Sequence, residues 1–349
     1  MLGIYKPEKR LCVSVLGDLL VKPKVIVWKL LFDRCEKVRK ILEPVADIVI
    51  SDPSEDMAKY KEELATAEGL LKQPRARIKE EILQYAPKLK IVANYGVGYD
   101  GNDIEAMTRQ KVYLTNTPGV LSNAVADQAL TLMLAVNRKI FQSDKYVREG
   151  GWAKRVFLKS NDMRGKTVGI IGLGRIGFET AKRCMKGFDM NIIYHDIFQN
   201  KKAEAELGAK RKTLDEVMKE SDYVVIHTAL TPQTRKMIDE EHLRMMKKTA
   251  YIINTARGPI IDQVALAKVL SEGVIAGAGL DVFDVEPPPA DDPILRAPRT
   301  ILTPHLGSGT FESKEAMAVC NAENVVAVLR GEVPPPNVVP EQKGMIFKK

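Results

Sequence analysis

The chain has 349 residues, which is enough for two domains of ordinary size. Hydrophobic residues make up 45% of it and charged residues 28%, as in a typical globular protein, and charges or proline interrupt every apolar run before it reaches membrane-spanning length. The net charge is +8, but the basic residues are interleaved with acids and form no aromatic-rich basic patch. Neither nucleic acid nor a membrane is therefore predicted as a partner.

Apolar runs and helical patterns alternate along the chain, which predicts an α/β fold built on parallel sheets. Strands are predicted at residues 24–28, 47–50, 69–71, 89–93, 112–115, 166–171, 190–194, 223–227, 250–254, 275–281 and 300–303. Helices are predicted at residues 34–42, 78–85, 123–139, 178–187 and 311–329. Residues 1–21 precede the first strand and are expected to form an extension or an extra strand.

The four cysteines lie far apart in the sequence and form no Cys-x-x-Cys pair: Cys12, Cys35, Cys184 and Cys320. This pattern favours reduced thiols over a disulfide framework or a zinc site. The N-terminus lacks the pattern of a signal peptide. We therefore predict a cytoplasmic protein that binds no metal.

A strand pattern precedes the loop Gly172-Leu-Gly174-Arg-Ile-Gly177, and a helical pattern follows it. In this setting Gly-x-Gly-x-x-Gly binds the pyrophosphate of a dinucleotide. The first glycine allows a tight turn, the second admits the phosphates to the backbone, and the third lets helix and strand pack closely. The predicted contacts from this loop are Gly172, Gly174, Arg175 and Ile176.

The strand predicted after this helix leads to Asp196, which lies 19 residues beyond Gly177. A carboxylate at about this spacing hydrogen-bonds the ribose hydroxyls and repels a 2′-phosphate. Asp196 therefore favours NAD over NADP, although Lys201 and Lys202 follow closely enough to offset its charge. A second glycine pattern, at residues 96–101, is followed by a strand that ends without an acid, so no second dinucleotide site is expected.

Arg257, Glu286 and His305 each follow an apolar run that predicts a strand. Because ligands of open α/β sheets bind outside the carboxyl ends of the strands, we expect the three side chains at one rim. An arginine that holds an anion, an acid–base imidazole and a carboxylate partner suit proton and hydride transfer on a small acid. Asp284 is an alternative to Glu286 as the partner of His305. Arg257 would, in the alternative interpretation, only form an ion pair at the surface.

Together these stretches resemble the D-isomer-specific 2-hydroxyacid dehydrogenases over most of the chain, from about residue 23 to residue 340. The most specific segments are residues 92–100, 169–177, 253–258, 277–283 and 303–308. The pattern is most similar to the glyoxylate/hydroxypyruvate reductase branch, with features of D-lactate dehydrogenases. The resemblance implies an NAD-dependent enzyme that interconverts a 2-oxo acid and a D-2-hydroxy acid.

The resemblance also implies a role for individual residues. Arg257 would bind the oxo oxygen and carboxylate of the substrate, His305 would exchange a proton with that oxygen, and Glu286 would hydrogen-bond the imidazole. The backbone N–H groups of Val97 and Gly98 would hold the carboxylate. Tyr95 is a further implied substrate contact. The other implied cofactor contacts are Thr228, Thr234, Ala256, Asp281, which would face the nicotinamide amide, His305 and Gly307.

The same resemblance implies a flavodoxin-like substrate domain formed by residues 1–117 and 309–349, with a Rossmann NAD-binding domain of residues 118–308 inserted in it. The helix predicted at residues 123–139 is apolar on more than one face, which indicates burial. In relatives this helix forms a dimer interface, so we predict a homodimer. Burial between the two domains is the alternative.

Other functions share this fold, and they stay open at this point. One is an NAD-sensing transcriptional co-repressor, and another is a formate or phosphite dehydrogenase. The identity of the 2-oxo acid also stays open. The turn at residues 71–75 and Tyr95 are expected to line the pocket, where Arg75 would meet a second acidic group of the substrate or else lie in solvent.

Overall fold

The computed structural model describes residues 22–74, 76–154 and 159–347. The extension or strand predicted at residues 1–21 and the predicted role of Arg75 lie outside the described residues. The described chain forms two β-sheets in which every pair of neighbouring strands is parallel, and helices pack on both faces of each sheet. The predicted α/β class is therefore confirmed.

The first sheet has five strands in the order β2-β1-β3-β4-β5. They are β1 Lys24–Trp28, β2 Asp47–Ser51, β3 Ala67–Lys72, β4 Ile91–Asn94 and β5 Tyr113–Thr115. This is the doubly wound order of flavodoxin-like sheets.

The second sheet has seven strands in the order β12-β11-β10-β9-β6-β7-β8. They are β6 Thr167–Ile171, β7 Asn191–His195, β8 Lys210–Arg211, β9 Tyr223–Ile226, β10 Tyr251–Asn254, β11 Gly277–Leu280 and β12 Thr300–Leu302. This is the Rossmann order, extended by one strand at the β11 edge.

The helices differ from the predictions mainly at their ends. They are α1 Lys29–Arg34, α2 Glu36–Leu42, α3 Met57–Leu64, α4 Glu80–Leu83, α5 Ile104–Arg109, α6 Ser122–Asn137, α7 Ile140–Arg148, α8 Arg175–Phe188, α9 Lys201–Leu207, α10 Leu214–Glu220, α11 Glu240–Met245, α12 Gln263–Glu272 and α13 Phe311–Leu329. The helix predicted at residues 34–42 is confirmed over Glu36–Leu42, but its start is wrong, because the extended backbone of Cys35 (φ −137°, ψ 90°) separates α1 from α2. The helix predicted to reach residue 139 ends at Asn137, and Lys139 is left-handed (φ 52°).

Each sheet is buried on both faces, because successive side chains of a strand point to opposite sides. In the first sheet, Val25 and Val27 pack into one apolar cluster, while Ile26 packs into the other. In the second sheet, Val224 and Val225 divide in the same way between its two clusters. Continuous apolar runs therefore form the strands, as expected for parallel sheets.

The chain leaves the first sheet after β5 and returns to it at its C-terminal end. Helix α13 packs against α2, β3 and β4, and Val338 forms an antiparallel bridge with Thr115 of the β5 edge. The domain boundaries at residues 117 and 308 stay a prediction. Of the helices in the described ranges, none combines the length and apolarity needed to cross a bilayer.

Candidate active site

A cleft of about 1400 Å³ lies where the carboxyl ends of strands from both sheets face each other. Its lining includes Gly98 and Asp100 from the loop after β4, and Arg257, Glu286 and His305 from the second sheet. The three reactive side chains predicted from the sequence are therefore brought to one rim. Acids and bases both line the cleft, so the case for an anionic ligand depends on the groups around Arg257 and not on the lining as a whole.

His305 and Glu286 form a hydrogen-bonded pair in this cleft. The Nδ1 atom of His305 lies 2.7 Å from Oε2 of Glu286, and the other carboxylate oxygen, Oε1, accepts the backbone N–H of Phe283 at 3.2 Å. Because an ionised carboxylate can only accept, Nδ1 is the protonated nitrogen. Nε2 is left to exchange a proton with a ligand. The partner of His305 is thus Glu286 and not Asp284.

Arg257 is held by groups from both sheets. Its Nε donates to Oδ1 of Asp100 at 2.9 Å, and its Nη1 donates to the carbonyl of Ala256 at 2.7 Å. Its Nη2 lies directly against the Cα of Gly98, where a Cβ atom would overlap it. The absence of a side chain at Gly98 therefore allows the guanidinium to approach the loop after β4.

The loop after β4 is fixed through its carbonyl groups. The buried amide of Asn94 donates to the carbonyls of Gly96 (3.1 Å) and Gly98 (3.0 Å), and Asn116 donates to the carbonyl of Val97 (2.8 Å). In the described chain, no residue accepts a hydrogen bond from the N–H groups of Val97 and Gly98. These donors are available to an anion next to Arg257.

Tyr95 begins this loop and fixes it to α13. Its hydroxyl donates to the carbonyl of Lys314 at 2.8 Å, and the Lys314 ammonium lies 5.6 Å from the centre of its ring. Partial burial lowers the pKa of Lys314. Tyr95 is therefore placed beside the predicted carboxylate site, but its hydroxyl is already used within the chain.

Asp281 organises the turn that presents His305. It is fully buried, and its carboxylate accepts from the hydroxyl of Thr303 (2.5 Å) and from the N–H groups of Leu306 (2.8 Å) and Gly307 (2.7 Å). These three bonds hold the ends of a turn in which His305 is left-handed (φ 58°). Asp281 thus acts within the chain, and its predicted contact with a nicotinamide amide stays a prediction.

The glycine loop after β6 has the geometry of a pyrophosphate cradle. Gly172 has φ 90°, and a Cβ there would lie 2.6 Å from the backbone nitrogen of Thr228. A Cβ on Gly177 would overlap the carbonyl oxygen of Gly172, whereas a Cβ on Gly174 would meet no described atom within 4 Å. Gly174 also precedes α8, so the open side of the loop faces the helix N-terminus, where an anion is favoured. The residues present fit a dinucleotide.

Asp196 lies beside this loop, at the end of β7. Its carboxylate accepts the N–H groups of Leu173 (2.8 Å) and Phe198 (3.0 Å). The guanidinium of Arg211 donates to the backbone carbonyls of Asp196 (2.8 Å) and Ile197 (2.9 Å). The acid predicted for the ribose is therefore adjacent to the glycine loop, and Arg211 contacts its backbone and not its carboxylate.

Three other residues predicted to contact the cofactor differ in exposure and in their contacts within the chain. Arg175 is exposed at the first turn of α8, while Ile176 packs against Leu121 and Val125. The hydroxyl of Thr234 donates to the carbonyl of Ala229 at 2.7 Å and so closes its own loop. The contacts of these residues with a cofactor stay predictions.

Sequence reasoning assigned no role to Asn94 and Asp100, which shape the cleft, and it included Lys72 only as part of the turn expected to line the pocket. Lys72 is buried, and its ammonium donates to the carbonyls of Gln73, Pro74 and Ala76 at 3.2, 3.4 and 2.9 Å. Burial lowers its pKa to about 8. The signal for Lys72 and Asn94 was their position directly after a predicted strand, whereas Asp100 lies seven residues beyond the predicted strand at residues 89–93. Among the residues described, no three His, Cys, Asp or Glu side chains come together as a metal site.

The fold and the site define a dinucleotide-dependent dehydrogenase acting on an anionic substrate. Residues 130–307 match the family model described as the NAD binding domain of D-isomer specific 2-hydroxyacid dehydrogenases. The chain is 43% identical over 323 residues to a glyoxylate reductase of Pyrococcus furiosus, and the alignment covers 90% of this chain and 95% of that reductase.

Two solved structures are similar over nearly their whole length. A glyoxylate reductase from Paecilomyes thermophila has a TM-score of 0.83 and 29% identity, covering 93% of this chain and 100% of that chain. An NADPH-dependent glyoxylate/hydroxypyruvate reductase from Sinorhizobium meliloti, solved with NADP and malonate, has a TM-score of 0.79 and 29% identity, covering 94% and 99%. The chain belongs to the D-isomer specific 2-hydroxyacid dehydrogenase family, and it is an oxidoreductase that uses a nicotinamide cofactor.

Proposed function

We propose that this enzyme reduces glyoxylate or hydroxypyruvate to the corresponding 2-hydroxy acid, with NADH as the preferred hydride donor. The observation that supports it is the pair His305–Glu286, joined at 2.7 Å, in the same cleft as Arg257 and the loop after β4. A proton donor, a cation and free N–H groups together match a small oxo acid. The names of the curated relatives point to the same substrate class.

In the proposed mechanism, the substrate carboxylate accepts from the N–H groups of Val97 and Gly98 and from Nη2 of Arg257. The oxo oxygen then lies between Arg257 and Nε2 of His305. When bound, the cofactor supplies a hydride to the carbonyl carbon. Negative charge develops on the oxo oxygen, Arg257 stabilises it, and the proton on Nε2 neutralises it. Glu286 stabilises the imidazolium before this transfer and keeps Nδ1 protonated after it.

The preference for NAD rests on Asp196. Its carboxylate is fixed beside the glycine loop, where it can accept both ribose hydroxyls and repel a 2′-phosphate. Two nearby cations are already engaged: Arg211 donates to backbone carbonyls, and Lys202 lies 4.8 Å from the Phe178 ring centre. The Sinorhizobium reductase was solved with NADP, so the two cofactors must be compared directly. A higher kcat/KM with NADPH than with NADH would contradict the preference.

The test is the oxidation of NADH in the presence of glyoxylate, hydroxypyruvate, pyruvate, phenylpyruvate, 2-oxoglutarate or 3-phosphohydroxypyruvate. We expect glyoxylate and hydroxypyruvate to have the highest kcat/KM, and His305→Ala to abolish their turnover. His242→Ala is the matched control, since His242 also pairs with a carboxylate, Asp239 at 2.7 Å, but lies on α11 outside the cleft. Undiminished turnover in His305→Ala would refute the proposed acid–base role.

We also propose a homodimer whose interface includes α7. In the part of the chain that the structure describes, the apolar residues of α6 are mostly covered by the second sheet and α8, but α7 has no buried side chain. Its apolar residues Ile140, Phe141 and Val147 are exposed, and so is Trp152 just beyond it. A patch of this kind on one chain fits the same patch on a second copy through a twofold axis. Light scattering should give twice the chain mass, and Phe141→Glu should give the monomer.

A further inference from the structure

Two of the three guanidinium nitrogens of Arg257 are engaged within the described chain, and the third, Nη2, is not. Its Nε and Nη1 atoms donate to Asp100 and to the carbonyl of Ala256. Within the described ranges, no residue accepts a hydrogen bond from Nη2, which lies over Gly98 and therefore next to the N–H groups that follow β4. The direction of Nη2 is thus decided by the two groups that hold Nε and Nη1.

Asp100 is the only side chain among the described residues that accepts from Arg257, and it comes from the other sheet. It lies in the loop after β4, whereas Arg257 follows β10, 157 positions later in the chain. The loop itself is fixed, because Asn94 bonds two of its carbonyls and Asn102 donates to the carbonyl of Tyr99 at 3.0 Å. Asp100 therefore offers Arg257 a stationary acceptor beside the predicted carboxylate site.

We infer that Asp100 is a positioning residue for Arg257: its carboxylate holds Nε so that Nη2 points to the same anion position as the N–H groups of Val97 and Gly98. This inference rests on the proposed role of Arg257 in substrate binding. Its consequence is that the oxo-acid site exists only when the loop after β4 and the loop after β10 are in contact. A shared hydrogen bond, and not only the shape of the cleft, then links the two sheets around the substrate.

Two other roles for Asp100 make opposite predictions. The pair is partly exposed, at 36% for Asp100 and 26% for Arg257, and exposed ion pairs often contribute little. In that case the loss of Asp100 would change nothing. Alternatively, Asp100 competes with the substrate for the guanidinium, and its removal would tighten the binding of an anion. Only a positioning role predicts weaker binding that a neutral acceptor partly restores.

The experiment compares Asp100→Ala and Asp100→Asn with the parent enzyme. We expect Asp100→Ala to raise KM for glyoxylate about tenfold or more with an unchanged Kd for NADH, because the misdirected guanidinium binds the acid poorly. Asp100→Asn keeps an oxygen acceptor and should recover a substantial part of that loss. Glu80→Ala is the matched control, since Glu80 lines the same cleft and pairs with Arg109 at 2.9 Å without touching Arg257.

A second readout separates this inference from the proposed reaction. Oxalate, a non-reducible diacid, is titrated into each protein saturated with NADH, and its Kd is obtained from the quenching of cofactor fluorescence. Weaker oxalate binding in Asp100→Ala, partly recovered in Asp100→Asn, would support the positioning role even in a protein that reduced none of the oxo acids. Unchanged or tighter binding in Asp100→Ala, or an equal loss in both variants, would overturn it.

Discussion

Replacing Gly98 with alanine tests the placement of the substrate site most directly. A Cβ at this position would overlap Nη2 and Cζ of Arg257 and would lie 3.2 Å from Nη1. Nη2 must therefore withdraw by about 2 Å to reach an ordinary non-bonded distance. A misplacement of about 1 Å in an active site can cost on the order of 100-fold in rate. We expect kcat/KM for glyoxylate to fall at least about 100-fold, which is about 2.7 kcal/mol of transition-state stabilisation.

The fold should tolerate this change. Gly98 is exposed and its φ lies outside the left-handed region, so alanine adds no backbone strain, and the atoms it displaces are the end of a flexible side chain. The unfolding temperature should stay within about 3 °C of the parent value. Gly187→Ala is the matched control: it is an exposed glycine within α8 where a Cβ meets no atom within 4 Å. That variant should keep full activity and gain about 0.5–1 kcal/mol of stability.

The assay is steady-state reduction of glyoxylate with NADH, accompanied by the Kd for NADH and a thermal unfolding curve for each variant. Activity of Gly98→Ala within about threefold of the parent would refute the reasoning, since it would mean that productive substrate binding does not need Arg257 where the structure places it. A loss of both activity and NADH affinity would also contradict it, because the change lies outside the glycine loop.

Three further changes test the pair in the cleft, the partly buried His227 and the edge of the first sheet. Glu286→Gln should lower kcat about 100-fold in steady-state assays, because the amide no longer stabilises the imidazolium of the general acid. Burial lowers the pKa of His227 to about 3, so the unfolded state binds the proton first as pH falls below 6.5. The stability that depends on neutral His227 is therefore fully present above pH 6.5 and is lost towards pH 3, with a loss of about 2–3 kcal/mol at pH 4.5. The free energy of urea unfolding of His227→Gln should lack this part of the pH dependence. Gln342→Ala should cost about 2–4 kcal/mol in urea unfolding, since its buried amide satisfies backbone groups at the β5 edge at 2.8 and 2.9 Å.

Each of these expectations has a contrary result. An unchanged pH–rate profile in Glu286→Gln would return the role of partner to Asp284. Equal acid sensitivity in the parent and His227→Gln would show that His227 is protonated without unfolding. A Gln342→Ala variant as stable as the parent would mean that water replaces the lost amide at the β5 edge.

Most of the architecture follows from local sequence, and the exceptions have local causes. Apolar runs located eleven of the twelve strands in the described part of the chain, because strands of parallel sheets are buried on both faces. The missed strand, β8, consists of Lys210 and Arg211, which are exposed and pair only with the edge strand β7. The break between α1 and α2 was also missed, because nothing in the residue type of Cys35 distinguishes an extended backbone from a helical one.

The candidate site was predicted only where strand order alone decides it. Arg257, Glu286 and His305 follow three consecutive strands of one sheet, so their common rim could be deduced. Asp100 could not, because its partner lies 157 residues away in the other sheet and the two loops meet only after both sheets have formed. The hydrogen bonds of Asp281 to its own turn were not predicted, because spacing does not show which way a carboxylate at a strand end turns; its contact with the cofactor stays a prediction.

The turn at His305 shows why a buried acid is needed at that place. A non-glycine residue in the left-handed region costs roughly 1–2 kcal/mol, so the turn requires support from elsewhere in the fold. Asp281 supplies it with three hydrogen bonds from residues on both sides of His305, and its own backbone carbonyl accepts the His305 N–H at 2.8 Å. Glu286 then fixes the ring itself. One carboxylate therefore fixes the backbone of the general acid and the other fixes its side chain, and among the described residues none hydrogen-bonds the remaining ring nitrogen, Nε2.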